Sequence, residues 1–192
     1  MNYSDELRLL YEETSNREII EPSDIPDIDL YMDQVTTFME TKLSSFKRNH
    51  DDKVLTKTMI NNYAKAKLFP PPIKKKYNKN HIMMLIIIYH LKSMLSINDI
   101  NKLLSPVTNE LNLNSSSRIL EVLYSCFVEI QKKASSLTIG DILGGNVIAE
   151  FEESISKLKI QEEVKYILAV LALSIFSNSE KSFAEKIIDT KF

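Results

Sequence analysis

The stretch Leu55-Thr-Lys-Thr-Met-Ile-Asn-Asn-Tyr-Ala-Lys-Ala-Lys-Leu-Phe-Pro-Pro-Pro72 runs on through Ile73-Lys-Lys-Lys-Tyr77 into an apolar segment, Asn78 to Leu95. Ser96-Ile-Asn-Asp-Ile-Asn-Lys-Leu-Leu104 follows. Thr56 has the chemistry of a helix N-cap, and Pro70–Pro72 cannot continue a helix, so a short helix from Thr56 to about Leu68 is expected. On it Met59, Tyr63 and Ala66 share the spacing of a buried stripe, which leaves Thr58, Asn61, Asn62 and Lys65 to face elsewhere. Ile73–Tyr77 has room only for an extended stretch or a minimal hairpin. Asn78 or Asn80 then opens an apolar helix. Ser96 caps the next one, with Asp99 at its third position as in a capping box, and Pro106 is expected to end it.

A short polar helix, a proline stop, a basic extended stretch and two packed helices in that order build a winged helix-turn-helix. Charge marks the same block. Residues 53–79 carry eight lysines and no acid, a local +8, whereas residues 1–40 carry eleven acids and two bases, a local -9. The total of -2 hides this division, so whole-protein attraction to a polyanion is weak and binding depends on how one basic block is presented. Asparagine pairs in bidentate fashion with adenine in the major groove, and lysine meets phosphate. The candidate DNA-binding residues are therefore Lys57, Thr58, Asn61, Asn62 and Lys65 on the short helix, Lys74, Lys75 and Lys76 on the wing, and Tyr77, which can anchor that wing.

Working outward, Pro26 and the aspartates after it start a helix expected from Asp27 to about Arg48, with Leu30, Val35, Phe38, Met39 and Leu43 as its buried stripe. Beyond Pro106, Ile119, Val122, Leu123, Cys126, Phe127 and Ile130 recur at helical spacing. Gly140, Gly144 and Gly145 break the chain, and a helix around Val147–Leu158 follows. The segment from Gln161 to about Ser177 is apolar on most sides and should be central to a bundle or an oligomer interface. A last helix is expected over Ser179–Ile188. The fold class is all-α, divided as an acidic segment 1–24, a helix-turn-helix domain 25–106, and a helical bundle 107–192 that serves as a dimerisation region. Symmetric pairing would make a homodimer suited to a palindromic site on double-stranded DNA.

The three glycines argue against chains of hairpins or βαβ units, and the single cysteine against a disulfide framework or a zinc site. His50, His81 and His90 lack metal-ligand spacing, Cys126 sits on an apolar stripe, and no glycine-rich phosphate loop or nucleophile elbow occurs. Nothing marks the chain as an enzyme or implies a cofactor. The most apolar segments are too short or too interrupted to span a membrane, and the acidic N-terminus is no secretory signal, so a cytoplasmic location is expected.

The ordered motifs resemble the DNA-binding domain of the MerR transcription-regulator superfamily. Tyr63 with Leu68-Phe69-Pro70-Pro71 is similar to that family's tyrosine and Leu-Leu-Pro-Pro turn. Lys76-Tyr77-Asn78 is similar to the basic-Tyr-Ser/Asn end of its wing, and Met94-Leu95-Ser96-Ile97-Asn98-Asp99-Ile100 to its Gly-Phe-Ser-Leu-x-Glu-Ile turn. The chain as a whole, including Ile25-Pro-Asp-Ile-Asp-Leu-Tyr-Met32, looks like an uncharacterised bacterial family, a domain of unknown function, that embeds this module. The resemblance implies a MerR-like winged helix-turn-helix and a transcriptional regulator. Four features depart from the superfamily: Asn61-Asn62 where Arg-Tyr is usual, Lys67 in place of the turn glycine, a shortened wing without glycine, and the 50 residues that precede the recognition helix. Asn61-Asn62, together with the acidic N-terminal block, which would mask the lysines, motivates an alternative, a helical protein–protein interaction module derived from a helix-turn-helix that does not bind DNA.

Overall fold

The computed structural model describes residues 3–15, 17–138 and 155–192. Among these, seven α-helices carry most of the chain: α1 (Tyr3–Ser15), α2 (Met32–Lys42), α3 (Lys57–Lys65), α4 (Lys79–Leu91), α5 (Ile97–Leu113), α6 (Ile119–Ser135) and α7 (Glu162–Lys191). The strands among the described residues are β1 (Leu30–Tyr31) and β2 (Lys76–Tyr77), antiparallel, with Leu30 opposite Tyr77 and Tyr31 opposite Lys76. The chain is thus mostly helical. No helix among the described residues is long and apolar enough to cross a membrane.

Helix α4 is the centre. Ten of its thirteen residues are buried, and it packs against α6, α7 and the strand pair. Its first turn is closed by Asn78, whose Oδ1 accepts the backbone N–H of His81 at 3.2 Å. At the other end the His90 carbonyl lies in the last turn, where intrahelical donors run out. Ser174 Oγ and Asn178 Nδ2 of α7 donate to it at 2.5 and 3.0 Å. One core of buried residues extends from Ile20 to Ile175 and takes in side chains from both sides of residue 106.

Several elements differ from the sequence reading. Helix α2 begins at Met32 rather than Asp27 because Leu30 and Tyr31 are drawn into the ladder with β2, and the Tyr31 N–H then donates to Gln34 Oε1 at 2.8 Å. Pro106 does not stop α5, which runs through it to Leu113. Proline cannot serve the carbonyl four residues back, that of Lys102, and the Ser105 hydroxyl donates to it instead at 2.9 Å. The two helices expected after Gln161 are one, α7, of 30 residues. The helix expected around Val147–Leu158 lies mostly outside the described residues, as do Gly140, Gly144 and Gly145.

The acidic N-terminal segment forms α1, which packs on the second half of α7. Tyr11 meets Phe183 edge to face at 5.5 Å, Glu13 pairs with Lys186 at 2.8 Å, and Glu6 pairs with Lys191. These acids neutralise α7 and leave the basic block of residues 53–79 untouched.

Two buried imidazoles give the fold a pH dependence. Burial, reinforced by Arg17 and Lys92 nearby, pushes His90 down to about 3. Burial also lowers His81, against the opposing pull of the Pro70 and Pro71 carbonyls. The unfolded chain therefore takes up protons first, near an ordinary histidine value of about 6.5. Stability is complete above that value and is lost as pH falls below it, by up to about 1.4 kcal/mol per pH unit for each imidazole. Urea titrations between about pH 5 and 7 should show this loss, and His90→Phe should make it shallower; an identical pH slope in wild type and variant would refute the assignment.

Candidate nucleic-acid interface

Helix α3 starts where the sequence places it. Thr56 Oγ1 accepts the Met59 N–H at 3.2 Å, and the Thr56 N–H returns to Met59 Sδ at 3.5 Å. The helix buries Ile60 and Tyr63, with Met59 half-buried beside them. Ile60, next to Met59 on the inward side, is absent from the expected stripe. The remaining face is in solvent: Lys57, Thr58, Asn61, Asn62 and Lys65 are all exposed.

The end of α3 is fixed by more than its prolines. Lys67 takes φ of 60°, its N–H donates to the Ala64 carbonyl at 3.0 Å, and the Leu68 N–H donates to Tyr63 at 3.1 Å. This is a Schellman arrangement with lysine in the left-handed place that usually falls to glycine. The carbonyls of the following turn are then taken up from the core side. Asn101 Nδ2 of α5 donates to Ala66, Thr108 Oγ1 of α5 to Leu68 at 3.2 Å, and His81 Nε2 of α4 to Pro70 at 3.0 Å. The Pro70 carbonyl can only accept, so this contact places a proton on His81 Nε2. Asn101, Thr108 and His81 set the angle at which α3 leaves the body. Sequence reasoning missed them; the one local signal is Thr108, a polar residue on the buried stripe of α5.

Residues 73–76 form a minimal hairpin. The Lys76 N–H donates to the Ile73 carbonyl at 2.9 Å, and the two residues between, Lys74 and Lys75, have φ of 52° and 64°. Two consecutive positive φ values are the pattern of a type I′ turn, which favours Asn-Gly. Lys74 and Lys75 are exposed, and Lys76 lies over the Tyr31 ring at 5.2 Å. Tyr77 is 4 % exposed and packs edge-on against Phe69 and His81. It is therefore no contact residue: its burial makes it the post on which the hairpin stands.

The head of α2 joins the two parts. Lys57, at the start of α3, pairs with Asp33, while Lys76 of the hairpin sits over Tyr31 two residues away. Asp27 engages Lys79 at 2.6 Å. Lys65 is about 12 Å further along α3 from Lys57. Lys65, Lys67, Lys74 and Lys75 have no carboxylate within 4.0 Å among the described residues. A left-handed conformation costs a residue with a Cβ about 1–2 kcal/mol. Lys74→Asn combined with Lys75→Gly should therefore raise stability by about 1 kcal/mol in urea unfolding, and a stability that stays level or falls would show the turn to be unstrained.

No curated protein and no solved structure matches the chain. A family model described as "Domain of unknown function (DUF1836)" matches residues 20–127. That span opens at Ile20, whose carbonyl accepts the buried Tyr124 hydroxyl at 2.9 Å, and it closes at Phe127 in α6 beside that tyrosine. It takes in α2, the strand pair, α3, α4 and α5 in full and covers more than half of the sequence, so the chain belongs to the DUF1836 family.

Proposed function

We propose that this protein is a DNA-binding transcriptional regulator built on a MerR-like winged helix-turn-helix. In this reading α3 enters the major groove, where Asn61 and Asn62 read base edges and Thr58 and Lys65 flank them, while Lys74–Lys76 hold the phosphate backbone of the same half-site. Tyr166 and Leu173, exposed seven residues apart on α7, support pairing of two copies across a palindromic site.

The observation that carries the reading is the identity of the residues with positive φ. Among the described residues every non-glycine position of that kind is a lysine of one basic block: Lys67, Lys74 and Lys75. Glycine or asparagine would satisfy the backbone at lower cost, so a demand for positive charge at those places explains the choice. Phosphate is the ligand that such a demand fits best.

A second reading, the helical interaction module that does not bind DNA, is favoured by the ion pairs Lys57–Asp33 and Lys79–Asp27, in which acids from residues 27–33 neutralise part of the block. Salt dependence separates the two. Replacing Lys74, Lys75 and Lys76 by Ala should flatten the log–log dependence of DNA affinity on salt by up to about 0.9 for each phosphate no longer neutralised. An unchanged slope in an anisotropy titration would remove the wing from the interface, and no binding of wild type to pooled genomic DNA at low salt would favour the interaction module.

A further inference from the structure

A cleft of about 410 Å³ opens between the loop after α2, the C-terminal end of α4 and the second half of α7. Neither the exposed face of α3 nor the hairpin contributes to its lining, which has six cationic residues against two acids, Asp52 and Glu185. Three of the cations are already matched. Lys47 pairs with Glu40, Arg48 is held by Asp189 through Nε at 3.2 Å and a terminal nitrogen at 2.7 Å, and Lys181 lies 3.9 Å from Glu185. Asp52 is occupied by the Asn49 N–H at 2.9 Å.

The other three, Arg17, Lys53 and Lys92, have no carboxylate within 4.0 Å among the described residues. Arg17 is half-buried, with its guanidinium 4.8 Å over the Phe46 ring. Lys92 is half-buried with Nζ 4.4 Å over the Tyr89 ring, and it donates to the Val54 carbonyl at 2.6 Å. Burial holds Lys92 at about 8, well below an ordinary lysine, and lowers Arg17 as well. Taking a cation out of water is costly unless an anion meets it, and proteins rarely bury Arg or Lys without a partner. Here two such cations, one after α1 and one at the end of α4, line one cleft and stack on two aromatic rings 6.0 Å apart.

The geometry points to a binding site for a small phosphate-bearing molecule, with its phosphate between Arg17, Lys92 and Lys53 and its organic part against Phe46 and Tyr89. Phosphate suits donors that come from three separate segments, because its oxygens point tetrahedrally and each accepts more than one hydrogen bond, whereas a carboxylate offers a single plane. The cleft volume lies in the range of small-ligand sites.

Calorimetric titration of the full chain with inorganic pyrophosphate tests this. The expected result is saturable one-to-one binding that weakens at least tenfold in Arg17→Gln, weakens in the exposed variant Lys53→Gln, and is unchanged in the wing variant Lys75→Gln. Amide shifts in the wild-type protein should move at Arg17 and Tyr89–Ser93 and stay still at Thr58–Lys65, which decides the matter even if Arg17→Gln fails to fold. Three outcomes would overturn the assignment: no saturable binding, equal weakening by Lys75→Gln, or amide shifts centred on α3. Citrate binding in place of pyrophosphate would overturn its phosphate chemistry.

Discussion

Helix α4 carries Ile82 to Ile88 as an unbroken apolar run, and a segment of that kind has no stable position on a surface in water. It must be covered on every side, and the other elements are arranged to do so: α6 and α7 along its length, the strand pair near its start. Coverage creates a second obligation. The polar groups at the two ends of α4 are buried along with it and must be satisfied inside the protein. Asn78 and His81 meet that need at the start by tying the helix to the Pro70 carbonyl, and Ser174 and Asn178 meet it at the end through the His90 carbonyl. Burial of α4 thus determines where the proline turn, α3 and α7 are held.

Much of this is legible in the residues because it is local. Thr56, Asn78 and Ser96 each cap a helix with an oxygen that accepts an N–H three residues ahead, a bond that needs no knowledge of the rest of the fold. The outward face of α3 follows in the same way from spacing alone. What could not be read depends on segments distant in sequence. Leu30 and Tyr31 look like the first turn of a helix until Tyr77 and Lys76 are beside them. Pro106 looks like a stop until Ser105 supplies the missing donor. The cleft around Arg17 and Lys92 leaves almost no trace: one arginine among acids, and one lysine that interrupts an apolar helix.

The two ends of α4 also separate two kinds of positive charge. At its start the basic hairpin stands on Tyr77 and His81 with Lys74 and Lys75 in solvent. At its end, about 20 Å away, Arg17 and Lys92 lie half-buried against aromatic rings. Exposed lysines on a tight turn suit an extended polyanion that tolerates water between the charges. Half-buried cations in a cleft suit a small anion that replaces their missing hydration.

Charge and conformation converge at the basic block. The acids of residues 1–24 are engaged elsewhere: Glu6 and Glu13 with α7, Glu18 with Lys42, Glu21 with Lys132. They do not shield the lysines at 65, 67, 74 and 75. Three of those four, Lys67, Lys74 and Lys75, are also the residues held in left-handed backbone. Two independent costs therefore fall on the same side chains, mutual repulsion of unpaired cations and backbone strain that glycine would remove. A requirement for turn geometry alone leaves the lysines unexplained, and a requirement for solubility leaves their positions unexplained, since any exposed site would serve. In the proposed reading, charge at those particular points, relative to the exposed face of α3, accounts for both.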